Sequence, residues 1–339
     1  MTRILPLIST RLCPIFSILL ATWMLQVGPS NALSYDDIQS RGVIGIAVYS
    51  NFPPYSFMDE NGNPAGMDVE LANALAKGLG VELNLHWMTP DETVEDDMRN
   101  YLWKGMNLSS DDGQRVKADV MLRVPYDRAF AMQRDDLGLP AHELVHMFAP
   151  YHSERWLLAY DGDKLDTPQT AARFMYHPVG VEVDTVPQFY LTTAYGGRFR
   201  DNSRTFPSVT EAFSALKRGD VAMVMGMSSQ LQWLHQQASY PASNKVKNTS
   251  RNDEFLSDTS KKNASPDAAP TQKLTELAFP LLGRAEWELG IAVHTNYRQL
   301  AYALEDIVVA HIENGDFLRW GEKYGVSYQL PNRYLPVPL

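Results

Sequence analysis

Residues 42–49, Gly-Val-Ile-Gly-Ile-Ala-Val-Tyr, form a compact β-branched run that reads as a strand. Phe52-Pro53-Pro54-Tyr55 stops it, and Asp59-Glu60-Asn61-Gly62-Asn63 is turn chemistry. From Asp68, the residues Val69, Leu71, Ala72, Leu75, Ala76 and Leu79 recur at helical spacing, with Asp68 as the N-cap and Gly78 and Gly80 at the end. Val81-Glu82-Leu83-Asn84-Leu85 then alternates as a second strand. This β-α-β order predicts a parallel pair, because parallel strands need a crossover. A third strand is expected at Asp119–Leu122.

A second set of alternating elements begins at Val179-Gly180-Val181-Glu182-Val183. Val186 to Thr193 reads as a helix with Pro187 in its first turn, where a missing N–H costs nothing. Val209 to Lys217 is amphipathic, and Gly219-Asp220 turns it into a strand at 221–225. Residues 239–273 are rich in Ser, Asn, Lys, Asp and Pro and lack an apolar period, so they are expected to form a disordered surface insertion. Order returns with a strand at 287–293 and helices at 297–312 and 315–324. Gln329 to Leu339 carries Pro331, Pro336 and Pro338 and is expected to be an extended tail.

Length and composition narrow the class. The chain has 339 residues, 45% of them hydrophobic and 21% charged, enough for two domains with real cores. The net charge of −10 argues against a nucleic-acid partner, which would require a basic face. The N-terminus has the order of a secretory signal peptide: Arg3 and Arg11, an apolar run from Ile15 to Leu25, then Gly28-Pro29 and a small-x-small cleavage site at Ser30 and Ala32. That apolar run is short for a bilayer span of about 20 residues. The single cysteine, Cys13, lies inside this leader. Cleavage after Ala32 leaves a cysteine-free protein of net charge −10 − 2 = −12. Its stability would rest on its core rather than on disulfides.

One motif points elsewhere. His142-Glu143-Leu144-Val145-His146 matches H-E-x-x-H, which on a helix sets two imidazoles on one face for zinc while the Glu activates water. Here Pro140 and Pro150 bracket it and leave barely two helical turns, and no third ligand follows at a recognisable spacing. On a strand the two histidines would be about 13 Å apart, too far for one metal. A zinc metallohydrolase is therefore a remote alternative, and no metal or cofactor is expected.

The ordered motifs together resemble those of bacterial periplasmic solute-binding proteins, family 3, the amino-acid-binding type. The Phe-Pro-Pro-Tyr loop followed by GMDVELANALAKGLGVEL, then FAPY (148–151), VGVEVDT (179–185), ALKRGDVAMVMG (215–226) and the closing ELGIAVHTNYRQLAYALEDIVVAHIENGDFLRWGEKYGV carry the resemblance. It covers nearly all of 41–326, apart from a stretch near 100–118 and the polar insertion. The resemblance implies an α/β, two-lobed, hinged binding fold (type II, Venus-flytrap) with an interlobe cleft. The first lobe would comprise 41–150 and 294–326, the second 151–293. Ligand would bind between the lobes and couple to their closure.

The resemblance also nominates site residues. Phe52 stands where the family often stacks an aromatic on its ligand, with Tyr55 and Trp103 as further candidates. Thr185 matches the threonine that meets the ligand carboxylate. Arg128 is near the position of the arginine that clamps this carboxylate bidentately, but Thr-x-x-Arg reads here as Pro125-Tyr126-Asp127-Arg128 in a shorter loop, so Arg123 is an equal alternative. Two departures bear on the ligand. The acid expected on the second lobe is replaced by Met225, Gly226 and Met227. The glycine expected before Thr185 is Asp184, which either sets a negative charge at the helix start or serves as an N-cap. Both departures argue against a zwitterionic amino acid. Met223, Met225 and Met227 suggest an apolar, adaptable surface on that side, with core packing as the readier explanation for them.

The expected function is thus that of a monomeric, non-catalytic periplasmic protein that captures a small molecule, with an inner-membrane ABC permease as partner. ADVMLRVPYD, APYHSERW, GDVAMVMG and EKYGV also resemble a divergent subgroup associated with PQQ-dependent alcohol or methanol dehydrogenases. That subgroup implies the alternative of an accessory protein whose partner is a periplasmic quinoprotein.

Overall fold

The computed structural model describes residues 35–107, 115–239 and 271–336. The leader at 1–32 and most of the polar insertion lie outside the described residues. Helix α1 (Tyr35–Arg41) leads into β1 (Val43–Tyr49), α2 (Met67–Leu79) and β2 (Glu82–Met88). Helix α3 (Val94–Met98) continues as a π-helical turn over Arg99–Trp103, followed by β3 (Val120–Pro125), α4 (Arg128–Ala131) and the 17-residue β4 (Val145–Asp161). Next come β5 (Val179–Glu182), α5 (Val186–Gly197), β6 (Ser203–Phe206), α6 (Val209–Arg218), β7 (Met223–Met227) and α7 (Ser228–Ser239). The chain closes with β8 (Gln272–Thr275), β9 (Glu286–His294), α8 (Arg298–Glu313) and α9 (Asp316–Tyr324).

The strands join in one sheet in the order β6-β5-β7-β4-β9-β3-β1-β2, with β8 also paired to β4. β1 runs parallel to β2 from Val43↔Glu82 to Tyr49↔Met88, as the β-α-β pattern predicts. The long strand β4 serves both lobes. Its residues 145–155 pair antiparallel with β9, and its residues 156–161 pair with β7 and β8. Period-2 alternation sorts side chains to the two faces. In β1, Ile44, Ile46 and Val48 pack with Leu71 and Leu75 of α2 and Leu300 and Leu304 of α8, while Ala47 faces Met98 and Leu102. In the second lobe, Met223 and Met225 face Phe174 and Leu191, while Val224 faces Phe213 and Leu231. Met223 and Met225 are therefore core residues. Leu289, Ile291 and Val293 of β9 belong to the first-lobe core.

Several local expectations need correction. Helix α2 is capped by Gly66, not Asp68, and Asp68 is fully buried. A Cβ on Gly66 would sit 2.2 Å from the Tyr55 carbonyl oxygen, and its φ of 118° suits glycine alone. Strand β8 starts at Gln272, inside the predicted polar insertion. The C-terminal segment is not simply extended. It makes a 3₁₀ turn at Asn332–Tyr334, and the Ser153 N–H donates to the Gln329 carbonyl at 3.0 Å. His142 lies in a turn and only His146 lies in β4, so the H-E-x-x-H segment forms no helix. Among the described residues, no group of three His, Cys, Asp or Glu side chains is arranged to hold a metal.

Candidate functional site

Where the lobes meet, β3, β4 and β9 all lose regular register. Val124 pairs with Gly290 and Leu122 with Ile291, which leaves Arg123 as the extra residue of a β-bulge, with φ at 63°. On the other side of Gly290, β4 spans from Phe148 to His152 while β9 spans from Ile291 to Leu289. Gly290 is needed in this crowding, because a Cβ there would lie 2.8 Å from the Phe148 carbonyl oxygen. The bulge frees the Arg123 N–H from the ladder, and it donates to the Tyr151 hydroxyl at 3.0 Å.

The bulge also re-aims the Arg123 side chain into the interlobe junction. Its guanidinium lies 3.4 Å from the centroid of the Tyr55 ring and 5.1 Å from that of Phe52. The two rings stack at 5.9 Å. Arg123 Nε is 3.8 Å from Asp68 Oδ2, and the Tyr151 hydroxyl donates to Asp68 Oδ1 at 3.0 Å. Burial disfavours the charge on Arg123, but Tyr55, Asp68, Tyr151 and Glu154 outweigh it and raise its pKa. Burial pushes Asp68 up to about 6, against the pull of Arg123 and the Tyr151 hydroxyl.

A second carboxylate completes the junction. Glu154, fully buried on β4, accepts the Tyr55 hydroxyl hydrogen on Oε2. Its Oε1 accepts from Arg155 N at 2.9 Å, Ser228 N at 3.1 Å, Ser228 Oγ at 2.7 Å and Ser229 N at 3.4 Å. The chain thus supplies its own anion to the N-terminus of α7. Burial works to raise Glu154, but His152 and the Tyr55 and Ser228 hydroxyls hold it below the usual glutamate range. His152 lies 3.2 Å from Ser229 Oγ and stacks on Tyr328, and burial pushes it down to about 4.

Of the sequence-nominated residues, Phe52, Tyr55 and Arg123 come together here. Arg128 does not: it is exposed on α4, with Nε donating to Met132 Sδ at 3.3 Å. The short loop ends β3 before Arg128 can reach the junction. Trp103 lies at the end of the π-helical turn and lines a different cleft with Glu95, Arg99 and His142. Thr185 caps α5 by position, yet its hydroxyl donates to the Glu182 carbonyl at 2.7 Å rather than capping the helix. It lines a small cleft of about 40 Å³ with Trp156, Gly226 and Met227. Asp184 is not the N-cap and is exposed, with φ at 57° and its N–H donating to Gln188. Phe52 opens on its other side to a cleft of about 270 Å³ shared with Tyr49, Asp91 and Asp97.

Sequence reading missed Asp68, His152, Glu154, Ser228 and Ser229. Asp68 resembled a cap. Glu154 sits in APYHSERW, read for its resemblance to the quinoprotein-associated subgroup, and its contacts appear only where β4 packs against α7.

Comparison with known proteins agrees with this architecture. Residues 44–103 match the family of bacterial extracellular solute-binding proteins, family 3. The chain is 36% identical over 75 residues to membrane-bound lytic murein transglycosylase F of Actinobacillus succinogenes, covering 22% of this chain and 15% of that protein. It is 33% identical over 85 residues to the L-cystine-binding protein TcyJ of Escherichia coli K12, covering 25% of this chain and 26% of that protein. The chain therefore spans only a small part of these curated relatives. Among solved structures, an ancestral cationic amino acid solute-binding protein superposes with a TM-score of 0.57 at 18% identity, over 86% of this chain and 99% of that one. Residues 44–103 thus match the bacterial extracellular solute-binding proteins, family 3, in sequence, and 86% of the chain shares the fold of a solved solute-binding protein.

Proposed function

We propose that this protein works in the periplasm, where it captures a small solute between its lobes for an ABC-type permease, and that the solute is not a standard zwitterionic amino acid. The observation that carries this reading is the bulge at Arg123. It delivers a buried cation, framed by Phe52 and Tyr55, to the junction of the two lobes. The cleft of about 270 Å³ beside Phe52 adjoins that junction and offers room. Against an amino-acid ammonium stands the second-lobe acid: Glu154 is consumed by Tyr55, Ser228 and Ser229, and Gly226 and Met227 supply no replacement. Thermal-shift screening of sugars, organic acids, amines and amino acids is the test, since a solute that binds only the folded state raises its stability. The expected result is a non-amino-acid stabiliser whose effect is lost in Phe52→Ala. A purified protein with no co-purifying solute and no stabiliser would sink the reading.

A second reading, the periplasmic accessory protein of a quinoprotein dehydrogenase, is favoured by Glu154, whose carboxylate is already occupied by this chain's own donors. Under this reading the tagged full chain retains a quinoprotein from periplasmic extract, and dehydrogenase activity falls in a deletion strain.

A further inference from the structure

The H-E-x-x-H segment, set aside as a zinc helix, takes part in a different feature. The turn at 140–144 faces α3 and the π-helical turn across a cleft of about 320 Å³. Its lining includes Glu95, Arg99, Trp103, His142 and Glu143. None of these belongs to the interlobe junction. The volume falls within the usual range for small-molecule sites, roughly 300–1,000 Å³.

Two buried nitrogens of this cleft make no hydrogen bond: His142 Nε2 and Arg99 Nε. The His142 side chain is only 2% exposed and packs on Phe130 with ring centroids 4.5 Å apart. With the proton of the neutral imidazole on Nδ1, Nε2 is a lone-pair acceptor. Glu95 Oε1 stands 3.9 Å from Nε2, too far for a direct hydrogen bond. A nitrogen donating to both acceptors at about 2.8 Å would see them about 90° apart, which suits an ammonium group or a water. A zinc ion at about 2.1 Å from both would be forced to an angle of about 136°, far from tetrahedral. Trp103 adds an aromatic wall, which favours a cation. Arg99 Nη1 is tied to Asp96 at 2.5 Å, while its Nε still lacks an acceptor.

From this geometry we propose that the first lobe carries a second binding site, for a small primary amine that also bears an oxygen acceptor. The ammonium donates to His142 Nε2 and Glu95, the carbon chain lies against Trp103, and the oxygen accepts from Arg99 Nε. Leaving His142 Nε2 and Arg99 Nε unsatisfied in a buried cleft is costly, and such a ligand satisfies both.

Isothermal titration of the full chain with ethanolamine tests this. Saturable binding is expected, weakened about tenfold or more in Glu95→Gln and in His142→Phe. Glu95 is partly exposed, so Glu95→Gln tests the site even if His142→Phe fails to fold. Propylamine, which lacks the oxygen, is expected to bind more weakly than ethanolamine. The proposal is overturned if ethanolamine shows no saturable binding, or if Glu95→Gln binds it as the parent does. Loss of binding in Phe52→Ala with retention in Glu95→Gln would assign the amine to the interlobe junction instead and also overturn it.

Discussion

Arg123 shows how much one backbone irregularity can decide. A regular β3 would point this side chain to one face of the sheet and commit its N–H to β9. The bulge turns it into the junction, where it meets Asp68, Tyr55 and, through Tyr55, Glu154. Removing one partner of a buried charged group leaves the others uncompensated, at a cost of about 3–5 kcal/mol. Arg123→Met is therefore expected to destabilise the protein by about that amount, measured by urea denaturation; an unchanged midpoint would contradict the network. His152 gives the junction a pH dependence. Its pKa falls from the ordinary 6.5 to about 4 in the fold. Between these values the unfolded chain binds a proton that the fold does not, so this group withdraws stability as pH drops through the window. Asp68 acts oppositely. Its folded value of about 6 lies above the ordinary 3.8, so this group withdraws stability as pH rises from about 4 to about 6. His152→Phe should flatten the acid-side loss, and Asp68→Asn should steepen it, in denaturation midpoints measured from pH 4 to 7.

At the scale of elements, the loop between β1 and α2 is held from both ends. Met67 N donates to the Pro54 carbonyl at 3.0 Å and Asp68 N to the Tyr55 carbonyl at 2.8 Å, so the start of α2 is satisfied by the loop that carries Phe52 and Tyr55. Gly66 makes this approach possible. Gly66→Ala should cost about 3 kcal/mol, since it combines a left-handed φ with a clash against backbone rather than a flexible side chain. Thermal unfolding would register it, and a wild-type midpoint would refute the packing argument. Helix α2 itself was legible because its apolar residues recur at 3.6-residue spacing. The role of Asp68 was not, because an acidic residue in a first turn looks the same whether it faces water or a buried arginine far along the chain, as Arg123 is.

At the scale of the whole molecule, α7 links the lobes at two places. Its first residues hold Glu154. Further along, Gln232 Oε1 accepts from Ser327 N at 2.8 Å, and Trp233 packs on Phe57 with centroids 6.0 Å apart. Trp233→Ala should loosen the lobes and raise the radius of gyration in solution scattering; an identical scattering profile would argue against this latch. The sequence alone determined the alternation of strands and helices, the parallel β1–β2 pair and the presence of an aromatic loop before α2, because periodicity and turn chemistry are local. It could not place Arg123 or Arg128 relative to the junction, and it missed Glu154 altogether. Those placements depend on where β3 bulges and on which side chains β4 brings to the start of α7. Only the tertiary structure decides them, because both arise from contacts between segments far apart in the chain.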